Sequence, residues 1–457
     1  MFEKPCLYSV SENNILHCQM SSGCLPPAQP AFILRGHSAQ IHALHFTKNN
    51  ARLLTADADG WIVSWNLAYK RPVAVWKAHT NAVLGLGSWG TDRIITHGRD
   101  DRLLVWKLGI EDEATLDKML PVDAVEGSSK LPWLLHLLTV NTLNFCPFAM
   151  CHDGMPQVIT TQKVLKHNDA PEPILVAVPN TVDSGGIDIY QLPAQARAAN
   201  IGAERDITTG MVMALSILAH TTRIQVAAGY ESGHTMVFVQ NDPAAAFQKL
   251  YSARPHTEPV LSLTLSASKE TYLTTSADAN IAKHPFPFAN SIWNTELKTI
   301  KVIPTKHSGQ QGLSYRSDGK VFATAGWDSH VRVYSGKTMK ELAVLKWHKE
   351  GAYATAFAAI MPATASNLHS LVDQASTSAS ASASASTSQS EAQSEQSATT
   401  TLDQIPEEND GVLTETKIEG HSSAVSTVQQ RRDEKARSTH WLAAGAKDGK
   451  VSLWDIY

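Results

Sequence analysis

Long apolar runs, paired cysteines and an excess of positive charge are all missing from this 457-residue chain. The longest weakly polar stretches, 211–219 and 352–360, fall well short of the ~18 to 20 apolar residues that a membrane-spanning helix needs. The first residues, MFEKPCLYSVSENN, show no basic region followed by an apolar run, so no secretory signal is expected and an intracellular setting is. Five cysteines (Cys6, Cys18, Cys24, Cys146 and Cys151) are too few and too unevenly placed for a disulfide framework. Their spacings, C-x11-C-x5-C and C-x4-C, also lack the paired short intervals of a tetrahedral zinc site, so free thiols and no metal are expected. With 39 Lys and Arg against 43 Asp and Glu, the formal charge is −4, which excludes a chain-wide basic footprint for nucleic acid or an anionic membrane. Phosphate-loop, G-x-S-x-G and H-E-x-x-H motifs are absent as well, so no catalytic residue, metal or cofactor is assigned.

What the chain does have is a repeat. GHSAQIHALHF with LLTADADGWIVSWNL, and KAHTNAVLGLGSWG with RIITHGRDDRLLVWKL, share one grammar: an opening His, an alternating apolar strand, a second strand ending in Thr, a turn Asp, and Trp six residues later. Asp59 with Trp65 and Asp100 with Trp106 set the interval, and Asp278 with His284, Asp328 with Tyr334 and Asp448 with Trp454 keep it. Weaker units end at Tyr190, with Asp183 one residue out of register, and at Phe238, with Ser232 in the Asp place. Successive closing positions are 41, 84, 48, 46, 50 and 120 residues apart. Four of the six match a four-stranded propeller blade of roughly 40 to 45 residues. The expected fold is therefore an all-β seven-bladed β-propeller, with insertions at the two long intervals.

The first insertion opens with the polar, acidic IEDEATLDKMLPVDAVEGSS, and a second loop follows, QKVLKHNDAPEP. The larger interruption, 361–415, contains a Ser, Thr and Ala run and an acidic stretch (Glu407, Glu408, Asp410). It has almost no apolar mass to offset ordering entropy, so it reads as a disordered excursion in or before the last blade. Either His348 or His421 opens that blade, and His348 is preferred because it follows Tyr334 by a normal junction distance. The chain ends at VSLWDIY with a third strand and no fourth, while Ala31 to Leu34 form a strand that no earlier blade owns. Pairing 31–34 with the last blade would close a ring spanning 31–457 and leave 1–30 as an outer arm.

The recurrent polar set is His37, Thr55, Asp59 and Trp65 in the first unit, and His79, Thr96, Asp100 and Trp106 in the second. His307, Thr324 and Asp328 repeat part of it in the sixth, where Tyr334 replaces Trp, and His284 takes the aromatic place in the fifth. His, Asp and a hydroxyl are the ingredients of nucleophilic catalysis. Their recurrence argues instead for a structural brace: Asp holds His, His reaches the hydroxyl, and the hydroxyl reaches the indole N–H. Arg431 to Arg437, RRDEKAR, is a short basic cluster of nuclear-import type diluted by Asp433 and Glu434.

This grammar resembles the WD-repeat propeller family from Phe32 to Tyr457. More narrowly, FILRGHSAQIHALHF, LPWLLHLLTVNTLNF, LKWHKEGAYATAF and LAAGAKDGKVSLWDIY are similar to the fungal ASTRA-associated protein 1 family. That resemblance implies a non-enzymatic nuclear subunit of the ASTRA assembly, tied to chromatin remodelling and to large kinase-like proteins and their chaperoning. Its partners would be other protein subunits, with the chain monomeric in a hetero-complex and in contact with neither nucleic acid nor membrane. In WD propellers the residue before the turn Asp faces a rim where partners dock. Position by position this points to Arg99, Glu231, Trp327 and Lys447, with Ala58 and Ala277 too small to anchor much. Trp327 is either an exposed hot spot or a packing residue against a neighbouring blade. Two other readings are a G-protein β-like signalling module, which needs a heptad helix that residues 1–30 lack, and a reader of peptides in the central channel.

Overall fold

The computed structural model describes residues 28–124, 130–141, 145–153, 172–220, 223–287, 297–361 and 419–456. Four-stranded antiparallel sheets follow one another along the chain. Blade 1 follows β1 (Phe32–Leu34) and holds β2 (Ile41–Thr47), β3 (Arg52–Asp57), β4 (Trp61–Asn66) and β5 (Arg71–Lys77). Blade 2 holds β6 (Val83–Trp89), β7 (Arg93–Gly98), β8 (Arg102–Lys107) and β9 (Trp133–Thr139). Blade 3 holds β10 (Ala149–His152), β11 (Ile174–Pro179), β12 (Ile187–Leu192) and β13 (Ala196–Ile201). Blade 4 holds β14 (Val212–His220), β15 (Arg223–Tyr230), β16 (Thr235–Gln240) and β17 (Gln248–Ala253). Blade 5 holds β18 (Val260–Leu265), β19 (Thr271–Ser276), β20 (Asn280–Pro285) and β21 (Lys301–Pro304). Blade 6 holds β22 (Gln310–Tyr315), β23 (Val321–Gly326), β24 (His330–Ser335) and β25 (Glu341–Lys346). Blade 7 holds β26 (Ala352–Phe357), β27 (Trp441–Ala446) and β28 (Val451–Asp455), and its fourth strand is β1.

The ring closes where Phe32, Ile33 and Leu34 pair with Leu453, Ser452 and Val451. This makes the fold a seven-bladed β-propeller. The first strands of successive blades form its inner wall. The core is divided among the seven junctions between blades, because the two-residue side-chain period of a strand sends alternate residues to opposite neighbours. Leu53 packs toward blade 7 and Leu54 toward blade 2, and both are fully buried.

Two insertions take definite places. The long low-complexity stretch is inserted between the first and second strands of blade 7, and apart from Met361 the segment 361–415 lies outside the described residues, as does 1–27. It ends in α1 (Glu419–Ser438), whose backbone includes His421, so GHSSAVSTVQQ supplies no strand. The helix docks through the buried Ala436, and the Ala436 carbonyl accepts the Trp441 indole N–H at 2.9 Å.

The other insertion leaves β8 and runs back over blade 1 as a strap. Leu116 enters the core between blades 1 and 2, and the Val75 N–H donates to the Asp117 carbonyl at 2.8 Å, covering the open edge of β5. Farther along, the Val122 N–H reaches the Gly36 carbonyl at 2.9 Å. The buried Glu113 carboxylate takes a bidentate pair from Arg52, Nε at 3.0 Å and Nη2 at 2.8 Å, with Lys48 at 3.4 Å. A fixed fork-to-fork pair anchors the strap at a defined register on blade 1. The acidic composition of this segment is thus partly spent on a buried ion pair.

Candidate functional site

The polar sets of the first two units are hydrogen-bonded chains buried inside their blades. In blade 2, Asp100 Oδ1 accepts from His79 Nδ1 at 2.8 Å, His79 Nε2 lies 2.8 Å from Thr96 Oγ1, and the Trp106 indole N–H donates to the same hydroxyl at 3.0 Å. Burial would push the Asp100 carboxyl up, but the His79 bond and charge and the Thr80 N–H outweigh it and hold it below its ordinary value. The His79, Asp100, Thr96 and Trp106 groups are thus bonded to one another within the blade.

Blade 1 departs from the expected pattern. His37 Nε2 meets Thr55 Oγ1 at 2.7 Å and Trp65 donates to it at 2.9 Å, but the carboxylate on His37 Nδ1 belongs to Asp57, at 2.7 Å, and not to Asp59. Asp59 is exposed, and only its backbone N–H takes part, donating to Asp57 Oδ1. Asp57 stands two residues after Thr55, where blade 2 has Gly98. A Cβ at Gly98 would fall 2.3 Å from His79 Nδ1 and 2.5 Å from Asp100 Oδ1, so a carboxylate arriving from Asp100 requires glycine there. The two blades deliver one carboxylate by two routes.

Blade 6 is a second correction. His307 is exposed and sits 3.4 Å from Asp328, outside any buried chain. The Asp328 carboxylate is taken by Arg332, with Nη2 at 2.5 Å and Nη1 at 3.1 Å. Arg332 stands opposite Thr324 across the β23–β24 pair and is buried, so a guanidinium occupies the space that the brace histidine fills elsewhere.

Two braces escaped the sequence reading. In blade 5, His256 bridges Asp278 at 3.1 Å and Thr274 at 2.8 Å, and the chain continues through His284 to Tyr251. His256 lies 22 residues before Asp278, the interval separating His37 from Asp59, and that spacing was the available signal. In blade 7, His348 Nε2 and the Trp454 indole both meet Ser452 Oγ at 2.8 Å. Ser452 is paired across the sheet with Ala444, so the hydroxyl comes from the neighbouring strand. His348 therefore fills the opening position of the last blade.

The six rim positions share one backbone hydrogen bond. Ala58, Arg99, Glu231, Ala277, Trp327 and Lys447 each donate their N–H to the carbonyl of a residue just before the first strand of a blade (Gln40, Ala82, Met211, Pro259, Gly309 and Gly351). They occupy one end of the ring. Beside them, six of the seven first strands carry a β-bulge at their second residue: His42, Leu84, Met213, Leu261, Gln311 and Tyr353. A bulge re-aims its side chain, and here the same device recurs at the mouth of the ring.

Trp327 is 48 % exposed. One face of its ring lies across Gly309, leaving no room there for a Cβ at a φ of +72°, while its indole N–H donates to Gln311 Oε1 at 2.8 Å. It is both packed and presented. Lys447 joins it around an open depression of about 520 Å³ that Lys349, Glu350 and Tyr353 also line. Tyr353 stacks on His42 at 6.1 Å with the rings 16° apart. Arg99 covers the half-exposed Phe145 ring at 4.3 Å. Glu231 stands apart, on blade 4, accepting the Met211 N–H. An aromatic and cationic arc thus runs from blade 6 through blades 7 and 1 to blade 2, suited to anchoring a partner surface. Among the described residues no cluster of His, Cys, Asp or Glu is arranged to hold a metal ion. Burial pushes the Cys146 thiol far up and Cys151 up to about 12, so neither is a ready nucleophile.

The family model described as ASTRA-associated protein 1 matches residues 30–454, the whole ring from the closing strand to the last blade. The chain is 46 % identical to ASTRA-associated protein 1 of Penicillium rubens, over 94 % of this chain and 98 % of that protein. It is 44 % identical to the protein of that name from Verticillium alfalfae, over 94 % and 93 %. In Schizosaccharomyces pombe the corresponding protein is 31 % identical over 72 % of this chain and 93 % of its own length. With the propeller, its closing strand and the matched span coinciding, the chain belongs to the ASTRA-associated protein 1 family.

Proposed function

We propose that this protein is a non-catalytic interaction subunit of the ASTRA assembly, using its rigid ring as a scaffold and the arc around Trp327 as its docking face. The observation that carries the reading is that the His, Asp and hydroxyl groups of blades 1, 2 and 5 are bonded to one another inside the blades, whereas Trp327, Tyr353, Arg99 and Phe145 stand at one end of the ring. The names of the relatives supply the assembly. On this reading the protein works in the nucleus, in connection with chromatin remodelling and with large kinase-like proteins and their chaperoning. It acts as one copy among other protein subunits and does not touch nucleic acid.

The test is affinity purification of the tagged full chain from its own cells, repeated with Trp327→Ala and Arg99→Ala together and with residues 366–412 deleted. A fixed stoichiometric set of large partners, retained after the deletion and lost from the folded double variant, is expected. Recovery of a G-protein partner, or of nothing stoichiometric, overturns the function. Intact capture by the double variant moves the docking face elsewhere.

A further inference from the structure

Propeller blades end in an outer strand whose far side has free N–H and C=O groups, and natural sheets blunt such edges. Most outer strands here are blunted. β5 is covered by Asp117 of the strap, β1 has three residues with Lys70 over Phe32, and β21 is short and ends in Pro304. β13, β17 and β25 place Arg197, Lys249 and Glu341 on their edges. Among the described residues nothing gives β9 any of these protections. It is seven residues long, WLLHLLT, with no charge from Leu131 to Thr139. Trp133 is 74 % exposed, Leu131 54 %, and Leu134 and Leu137 43 % each.

The backbone of β9 is ordered for pairing. The Val140 N–H donates to the Asp101 carbonyl, so by the alternation of an antiparallel ladder Leu138 and His136 face β8, while Leu137 and Thr139 turn their N–H and C=O outward. A bulge at Leu135 shifts the register, which places Leu134 on the same face as Leu137. His136 is held by Gln195 of blade 3 at 3.0 Å and by the Trp89 ring of its own blade, which tether the strand where its apolar side is exposed. Exposed cations flank the strip on β8: Lys107 opposite Trp133, and Arg102, with Asp101 3.8 Å away, opposite Thr139.

We propose that β9 is a strand-addition site, where an extended segment of a partner protein, apolar at its centre and acidic at its ends, pairs as a fifth strand of blade 2. Main-chain bonds to Leu137 and Thr139 provide the pairing. Trp133, Leu134 and Leu137 select apolar side chains, and Lys107 and Arg102 select the acidic ends. The site lies on the outer wall of the ring, separate from the Trp327 face, and does not depend on the function proposed above.

The test is fluorescence anisotropy with the full chain and a panel of nine-residue peptides, each with a Val, Ile, Thr and Tyr core and two Glu at either end. Each core is also made with N-methyl groups on alternate residues, in two complementary series. Micromolar binding by at least one peptide is expected, weakened tenfold or more in one methylated series and unchanged in the other. Leu137→Pro should abolish binding with the melting temperature retained, because that N–H makes no bond to β8. Leu134→Ser with Leu137→Ser should weaken binding tenfold without touching the backbone. Failure of every peptide, or equal binding by both methylated series, overturns the proposal. So does concentration-dependent dimerisation abolished by Leu137→Pro, which assigns the edge to a second copy. A photo-cross-link from position 137 to residues 154–171 of the same chain overturns it likewise.

Discussion

The sharpest consequence of the brace geometry is a contrast between two aspartates two residues apart. Asp57 is fully buried. Its Oδ2 accepts from His37, and its Oδ1 accepts the N–H groups of Asp59 and Trp61, each at 3.0 Å. Asp57→Ala removes a charge-assisted bond and leaves His37 Nδ1 and two backbone donors without their partner. At ~1 to 3 kcal/mol for each buried group so orphaned, discounted for water reaching the turn, the loss should be about 3 to 5 kcal/mol. Asp59→Ala removes an exposed carboxylate with no part in the chain and should cost about 0.5 kcal/mol or less. Asp57→Asn keeps one carbonyl acceptor and should fall between. Urea unfolding of the full chain, followed by tryptophan fluorescence, gives the three midpoints. Equal shifts for Asp57→Ala and Asp59→Ala, or a larger one for Asp59→Ala, would refute the assignment of the carboxylate and with it the account of why blade 2 needs Gly98.

Three further outcomes follow from the same geometry. His97 and His284 are fully buried, and burial, with a nearby histidine, pushes both down to about 3, so both are neutral in the fold. The unfolded chain, with ordinary histidines, takes up these protons first as pH falls below about 6.5; stability present above that value should drop by ~4 kcal/mol in all by pH 5, and a urea midpoint equal at pH 7.5 and pH 5 would contradict it. Asp328→Ala leaves the buried Arg332 with only Glu341, 3.7 Å from its Nε, and should cost ~2 to 4 kcal/mol, whereas Arg332→Met should be near neutral in thermal melting; the reverse order would show that the pair is not the brace of blade 6. Glu113→Gln leaves the buried Arg52 without its carboxylate, so melting should fall and protease cleavage between 109 and 124 should speed up under native conditions, whereas unchanged cleavage would show that the pair does not anchor the strap.

Much of the ring was legible because a propeller writes its period into the chain. Thr55 and Trp65 stand at the same offset as Thr96 and Trp106, with His37 and His79 at nearly equal distances before them, and the structure places the two sets alike. The carboxylate was not legible in blade 1, since ADAD offers two aspartates and the choice depends on whether the residue two after Thr has a Cβ. Blade 6 was misread because nothing in KHSG announces that its histidine stays outside; the telling residue was Arg332, a cation in a strand opposite Thr324. Ser452 was hidden because the hydroxyl had moved to the partner strand, which local spacing cannot register. The outer strand of blade 2 lay behind a strap whose length erased the periodicity. The rim was legible as a set of equivalent positions, but the bulges that turn His42, Gln311 and Tyr353 toward it have no sequence mark.

Blade 7 is assembled from three pieces of chain: 32–34, 352–357 and 441–455. A ribosome that has just finished the first strand of this blade must still make residues 358–440 before the second can pair with it. At ~5 to 20 residues per second that interval lasts roughly 4 to 17 s. Throughout it six blades can exist only as an open arc, with β26 unpaired at one end and blade 1 lacking its neighbour at the other. The arc becomes a ring only when β28 meets β1, which is made before every other strand of the ring. The length of the insertion in blade 7 thus acts as a timer on closure, and shortening it would shorten the period in which the nascent arc exposes its two ends.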